Sequence, residues 1–458
     1  MGKKLGMYIV CFFVLISPLI YRSLYVFDTN KIYTSYTSSI IMLVPIIILF
    51  NLKNFLNKLF LGFWTFWLFI GVLNILSSYK NNPNYYMEVE DGSIIYAFFT
   101  ALLAIGFFIG EYYTLSKLEI HKSLSPTLKI DRPFIFILLI FPVLWLISFV
   151  KSLGFLPVLA GVDITDDMYG MSYGPLYGYS IINSISIVLV YSMLIRSDKM
   201  YIKILCILYI VMIMAISSVD SKRYVLLISL LSMFVFNKVW KRSFRFDFFI
   251  LVYALVGAIL YIALLGLRQG NLDANDYNQY FENLAIGVEY RDFIRTFNDF
   301  EPGKIPHYNF ERSLIGAFLN VDILNFFGYD KKELTLQGSA YTWMTIFNSS
   351  LGIRTGLISE LYFAYDLIGG GACILLFGLL VNYVSFKIHK AISELQLVLL
   401  CIVYSLLLLS VMGQSTATVG QLCILMYVYF AYSFYKRFSR NGKINPTIIN
   451  LQNKAHTV

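Results

Sequence analysis

Arg291 and Arg295 stand four residues apart with Asp292 beside them. They share a stretch in which Tyr290, Phe293, Ile294 and Phe297 recur at helical spacing. On a helix over 278–299 the two guanidinium groups project together from one face, and the apolar side chains form another. Arginine's planar fork matches phosphate oxygens, often two at a time. Arg223, Arg268 and Arg354 sit, like Arg291, at or just beyond the ends of long apolar runs. A single arginine in such a place ordinarily snorkels to the interface or stays solvated. Four in one region point to a ligand with several anionic oxygens, such as a diphosphate. Carboxylates accompany them: Asp220, Asp292 and Glu360 each lie at or beside such a boundary. Glu360 opens an apolar run, where an ionisable group is costly unless paired or used. A carboxylate near a substrate hydroxyl is a general base. Each also has a structural reading: Asp220 paired with Lys222 or Arg223, Asp292 paired with Arg295, and Glu360 capping its helix.

The elements that must position these groups are membrane spans. Hydrophobic residues make up 58% of the 458-residue chain and charged residues 14%, against roughly 25% charged in soluble domains. Apolar runs long enough to cross a hydrocarbon core of about 30 Å recur at 5–24, 38–52, 59–78, 94–113, 133–150, 178–195, 202–218, 223–238, 248–267, 360–386, 395–412 and 418–435. They are continuous rather than alternating, which excludes a β-barrel. The expected fold is all-α: one polytopic membrane domain over 1–458, with about twelve transmembrane helices. A large extracytoplasmic helical loop, 268–359, enters between the ninth and tenth. The first run follows Met-Gly-Lys-Lys without a small-x-small cleavage site and is expected to be an uncleaved span. Gly2 lies in no myristoylation motif.

Orientation follows from basic residues. With the N-terminus inside, 22 of the 36 Lys and Arg fall on inner segments, the positive-inside pattern. Both termini are then cytoplasmic, and the region holding the arginines and carboxylates faces outward. The net charge of +9 is mostly this signal and does not indicate nucleic-acid binding. Cys11, Cys206, Cys373, Cys401 and Cys423 all lie inside apolar runs and read as small hydrophobes; no CxxC marks a metal or redox site. Only His307 of the four histidines is outside. Asp163, Asp166 and Asp167 read as a solvated acidic turn, so no metal site is expected. No Walker or Rossmann loop is present, which argues against nucleotide chemistry and an ATP-driven pump. Glu301-Pro-Gly ends the first loop helix, and 310–328 is expected to form a second. Gly369, Gly370 and Gly371 fit close helix packing.

Several pieces together resemble the Wzy-type polysaccharide polymerases, the family of O-antigen, capsule and enterobacterial common antigen polymerases. These are Leu153-Gly-Phe-Leu, Asp220-Ser-Lys-Arg223 ahead of a Leu/Ile-rich run, and Leu267-Arg268 followed by a Gly-containing turn. The others are Tyr290-Arg291-Asp292-Phe293 and the run from Leu351 through Arg354 and Glu360 to Tyr362. The resemblance covers about residues 150–380 and rests on order and topology rather than on one motif. It implies a membrane glycosyltransferase of the C type, working without cofactor or metal. Such an enzyme joins undecaprenyl-diphosphate-linked oligosaccharide repeats at the outer face of the bacterial cytoplasmic membrane, alongside membrane lipid. A flippase and a chain-length regulator of the same pathway are the implied partners. Arg223, Arg268, Arg291 and Arg354 are then expected to hold the diphosphate. Lys222, Arg295, Tyr290 and Tyr341 are expected to contact substrate, and Asp292 or Glu360 to be the base. Where relatives often carry small residues, this chain has Asp-Ser-Lys before Arg223, and some relatives have a hydroxyl residue at the position of Glu360. Two other readings share the architecture. An O-antigen ligase would lean on an outer histidine, for which His307 is the one available. A lipid-linked oligosaccharide flippase would show mid-span charge, inverted repeats and broken helices.

Overall fold

The computed structural model describes residues 9, 12, 29–79, 89–115, 132–154, 179–218, 224–241, 288–319, 321–330, 333–334, 337–338, 342, 356–411 and 415–441. The described residues are almost entirely helical, without extended strands. In chain order the helices are α1 (Thr29–Asn51), α2 (Phe55–Tyr79), α3 (Val89–Leu115), α4 (Arg132–Leu153), α5 (Ile181–Arg196), α6 (Met200–Ser218) and α7 (Tyr224–Lys241). Then come α8 (Val288–Asp299), α9 (Phe310–Phe318), α10 (Val321–Phe326), α11 (Gly356–His389), α12 (Glu394–Leu409) and α13 (Ser415–Asn441). Among the described residues five stretches are long and apolar enough to cross a membrane: Asp91–Thr114, Phe134–Leu153, Met200–Ser217, Gly356–His389 and Ala417–Arg437. Shorter apolar helices are Thr37–Asn51, Ile181–Arg196, Tyr224–Trp240 and Glu394–Leu409. The expected runs 5–24 and 248–267 lie outside the described residues, apart from positions 9 and 12.

Large apolar side chains stay uncovered on α4 (Phe136, Ile137, Ile147), α6 (Leu205, Leu208, Val211) and α13 (Phe430, Phe434). In water such faces would be a liability; in lipid they are the normal surface of a span. The inner helices are joined by polar contacts suited to that setting. Trp64 Nε1 donates to Leu408 O at 3.0 Å, Tyr404 OH to Leu56 O at 2.5 Å, and Ser186 Oγ to Leu138 O at 2.6 Å. Bonds of this kind in membranes average about 0.6 kcal/mol each. Around Phe60 the rings of Trp64, Phe107, Phe377 and Tyr404 pack with centroids 5.4–6.1 Å away.

The tightest crossing joins α3 to α11. A methyl group at Gly106 would sit 2.4 Å from Leu375 O, and one at Gly378 would sit 2.6 Å from Leu103 O. Only hydrogen fits where these backbones meet. One turn on, Gly110 lies against Asn382. The same end holds a buried polar cluster. Glu111 accepts from Lys53 N and Asn54 N, both at 2.8 Å, and from Asn57 Nδ2 at 3.1 Å. This carboxylate occupies the N-terminal end of α2, where unpaired N–H groups favour negative charge. A half-buried Arg196 pairs with the buried Glu394, joining α5 to the start of α12, and lies over the Trp240 ring at 5.7 Å.

Gly378→Leu is expected to destabilise the protein by about 1–3 kcal/mol or more, because the facing atoms are backbone and cannot yield. A lowered unfolding midpoint in detergent would show it. Ile368→Ala, at a residue 87% exposed, should leave the midpoint unchanged.

Candidate functional site

Helix α8 is short and amphipathic. Its stripe of Tyr290, Phe293 and Ile294 is buried, and Phe297 is half-buried. What covers this stripe is protein, from two other helices. A methyl at Gly92, near the start of α3, would meet Ile294 Cδ1 at 2.4 Å, with Phe293 and Phe297 next at 3.5 and 3.6 Å. Tyr96 meets the rings of Tyr290 and Phe293 edge-on at 5.0 and 5.6 Å. Phe293 in turn packs on Tyr362 and Phe363 of α11, at 5.9 and 5.8 Å. Helix α8 is therefore wedged between two membrane helices. Periodicity located the buried face correctly, but it carries no information about the partner.

Helix α11 does not begin at Glu360 as expected. It starts at Gly356, and Glu360 is its fifth residue, 2% exposed. The capping role considered for Glu360 is thereby ruled out by position. Gly356 has φ +74, and a methyl there would lie 2.4 Å from Val411 O. Leu357 N donates to Ser410 O at 3.1 Å, tying this start to the end of α12.

The helix is broken at Asp366, whose φ of 59 and ψ of −172 are not helical. The bend is sharp. A methyl at Gly370 would sit 2.7 Å from Leu361 O, although those residues would be separated by roughly 13 Å of rise in a straight helix. Gly370 and Gly371 thus serve close packing, as their sequence suggested, against Leu361, Phe99 and Leu102. Two backbone carbonyls ahead of the break accept hydrogen bonds from the loop. Gly303 N donates to Phe363 O at 3.0 Å, and Tyr308 OH to Glu360 O at 3.1 Å. On the far side Asp366 Oδ1 accepts Leu367 N at 2.7 Å. Both loop donors come from the segment after α8, which ends at Asp299, just ahead of Glu301-Pro302-Gly303 as its sequence implied.

The site thus stands on two short elements, α8 and the 356–365 lead-in of α11, stacked at one end of α3. Gly92 marks that end and Glu111 the other, roughly 28 Å apart along the axis. Asp292 is buried on α8 (7% exposed) and Glu360 on the lead-in. A third carboxylate, Glu289, escaped the sequence reading. It is buried, and Trp67 Nε1 donates to its Oε2 at 3.0 Å. Its signal was present: Glu289, Asp292 and Thr296 form a polar stripe at i, i+3 and i+7 beside the apolar one. Gly356 faces Glu289 as well, its methyl position 3.5 Å from Glu289 Cβ. Ser359, next to Glu360, is fully buried, and its hydroxyl has no hydrogen-bond partner among the described residues.

Tyr290 sits in the α8–α3 packing, with its hydroxyl against that of Ser93. Arg291 and Arg295 lie on α8, four residues apart; their side chains, together with Lys222, Arg223, Arg268, Tyr341 and Arg354, lie outside the described residues. Arg223 immediately precedes α7, and Arg354 precedes α11 by two residues. Asp220 is also outside the described residues. His307 is exposed, with φ 61. The second loop helix expected over 310–328 is two helices, α9 and α10; Asn309 caps α9 by accepting Arg312 N at 3.0 Å. Among the described residues no group of three or more His, Cys, Asp or Glu could hold a metal ion.

Burial pushes the Tyr308 phenol well above its ordinary pKa, and the negative charges of Glu360 and Glu311 push the same way. Burial likewise raises Tyr290, with the Ser93 hydroxyl partly opposing. A phenol whose folded pKa is raised contributes stability that is complete below its unfolded value of about 10 and is lost as pH rises beyond it. Tyr308→Phe is expected to lose about 1 kcal/mol at pH 8. It should also show a shallower alkaline decline than wild type above about pH 10, in unfolding midpoints measured across pH.

No family model, curated protein or solved structure matches this chain.

Proposed function

We propose that this chain is a membrane glycosyltransferase that polymerises oligosaccharide repeats carried on a polyprenyl diphosphate. Its site faces the outside of the cytoplasmic membrane, with about twelve spans and both termini inside. The observation that carries the proposal is the burial of Asp292 and Glu360 on two packed elements at one end of the bundle, one of them a helix that also bears two arginines four residues apart. The opposite end holds Lys53, Lys387 and Lys390, as positive-inside topology requires.

In the reaction one carboxylate takes the proton of an acceptor hydroxyl on the incoming repeat. The freed oxygen attacks the anomeric carbon at the reducing end of the growing chain. The bond from that carbon to the diphosphate breaks, and polyprenyl diphosphate leaves with the electron pair. Negative charge develops on the leaving diphosphate, where fixed cationic donors stabilise the transition state most. Arg223, Arg268, Arg291 and Arg354 fill that role, and Lys222, Arg295 and Tyr341 lie in the same stretch of sequence. Tyr290 contributes by seating α8. The flippase that delivers repeats and the chain-length regulator are the natural partners.

A transporter of lipid-linked oligosaccharide is the second reading, because broken helices are a transporter feature and α11 is broken. The position of the break favours the enzyme. The part of α11 after Asp366, 367–389, is roughly 35 Å long, enough to cross alone. This supports a break at the membrane boundary rather than mid-span, with Gly303 and Tyr308 donating to the carbonyls ahead of it. A ligase reading draws no support from His307, which is exposed.

Purified protein given a polyprenyl-diphosphate-linked repeat, with EDTA present, is expected to make a ladder of lipid-linked oligomers. Arg291→Ala should slow it about 10²–10³-fold. Asp292→Asn and Glu360→Gln identify the base, whose loss should cost about 10²–10⁴-fold. Transfer of the repeat across proteoliposome membranes without any ladder would favour the transporter.

A further inference from the structure

Helix α9 and the turn after α10 present apolar side chains that no described part of the protein covers. On α9, Phe310, Ser313 and Gly316 face inward, while Ile315 and Phe318 are exposed. After α10, Phe326 is 84% exposed, Phe327 63% and Tyr329 51%, whereas Leu324 is fully buried. The exposure is built in rather than incidental. Tyr329 N donates to Leu324 O at 2.9 Å, and Gly328 N to Asn325 O at 3.0 Å. With Gly328 at φ +76 these bonds form a Schellman ending, which fixes the turn. Leu324 pins it to the protein, and Phe326 and Phe327 point away with their rings edge-on at 5.3 Å. A methyl at Gly328 would meet nothing within 4 Å.

Position decides what covers this surface. Helix α9 lies against α13, with Ala317 O 3.6 Å from the methyl position of Gly420. Gly420 is in the first turn of the apolar stretch Ala417–Arg437, so α9 sits at the level where that helix enters the membrane. Further along α13, Met426, Tyr427, Phe430 and Phe434 are exposed as lipid-facing side chains are. Ile315 and Phe318, exposed on α9, flank Ala317, the residue that meets α13 at Gly420. Glu311 and Arg312, also exposed on the first turn of α9, have the polarity of the headgroup layer. Aromatic and aliphatic residues beside charged ones, on a short helix at the end of a span, form an interfacial anchor.

We infer that α9 and the Phe326–Tyr329 turn form an apolar foot set into the lipid interface, with acyl chains as its ligand. The foot seats the polar loop on the bilayer at a fixed depth, where a lipid-linked substrate would present its headgroup. The inference stands on exposure and position, independently of the proposed chemistry.

The test replaces Phe326 with an environment-sensitive fluorescent amino acid in the full chain, reconstituted in vesicles. Acyl-chain-brominated lipid and aqueous iodide serve as quenchers, and a probe at the exposed Lys304 is the aqueous control. Brominated lipid is expected to remove more than half the Phe326 emission while iodide acts mainly at Lys304. A probe at Phe318 should behave like that at Phe326, which guards against one substitution disturbing the turn. Iodide quenching at Phe326 equal to that at Lys304 overturns the inference. Shielding from both quenchers also overturns it, since the foot would then be covered by protein, a second copy included.

Discussion

Two glycines, Gly106 and Gly378, let α3 and α11 run backbone against backbone, and the rest of the described structure is referred to that crossing. Helix α3 carries the seat of α8 at Gly92 and the carboxylate that ends α2 at Glu111. Helix α11 carries Glu360 on its lead-in and Asn382 against Gly110. Fixing these two helices therefore fixes both ends of the molecule at once. In lipid, where greasy surfaces gain little by meeting each other, such steric fit is a principal source of helix association.

The second constraint is that backbone polar groups at membrane depth must find partners. It explains why α11 can break at Asp366. The carbonyl of Phe363, whose helical donor lies beyond the break, accepts Gly303 N, and Tyr308 OH adds a bond to Glu360 O just ahead of it. The break and the loop are thus one device. Bending the helix turns the 356–365 segment toward α8, and the turn after α8 makes the bend tolerable. The outcome is a shelf of protein at one end of α3 that buries Glu289, Asp292 and Glu360.

The sequence was legible where physics is local. Apolar runs foretold helices, the period of Tyr290, Phe293, Ile294 and Phe297 foretold a buried face, and Glu301-Pro-Gly foretold the end of α8. It was less legible where the answer depended on a distant partner. Nothing near Tyr290 says that α3 rather than lipid covers the stripe, since a lipid-facing and a protein-facing stripe have the same period. The break at Asp366 lies within apolar sequence and depends on donors about sixty residues earlier in the chain. Glu289 stands three residues before Asp292, a spacing that puts both on the same side of the helix, but its partner Trp67 is more than two hundred residues away in the chain. Arg223, Arg268 and Arg354, expected from sequence to hold a diphosphate, fall outside the described residues.

The central claim is that α8 and the lead-in of α11 present their carboxylates to one reaction. A double-mutant cycle on the oligomer-ladder rate tests it most directly, comparing Asp292→Asn, Glu360→Gln and the double variant. Groups acting as one unit lose function non-additively. The account predicts a double variant within about threefold of the slower single variant. Losses that multiply, or single variants that keep the wild-type rate, would contradict it.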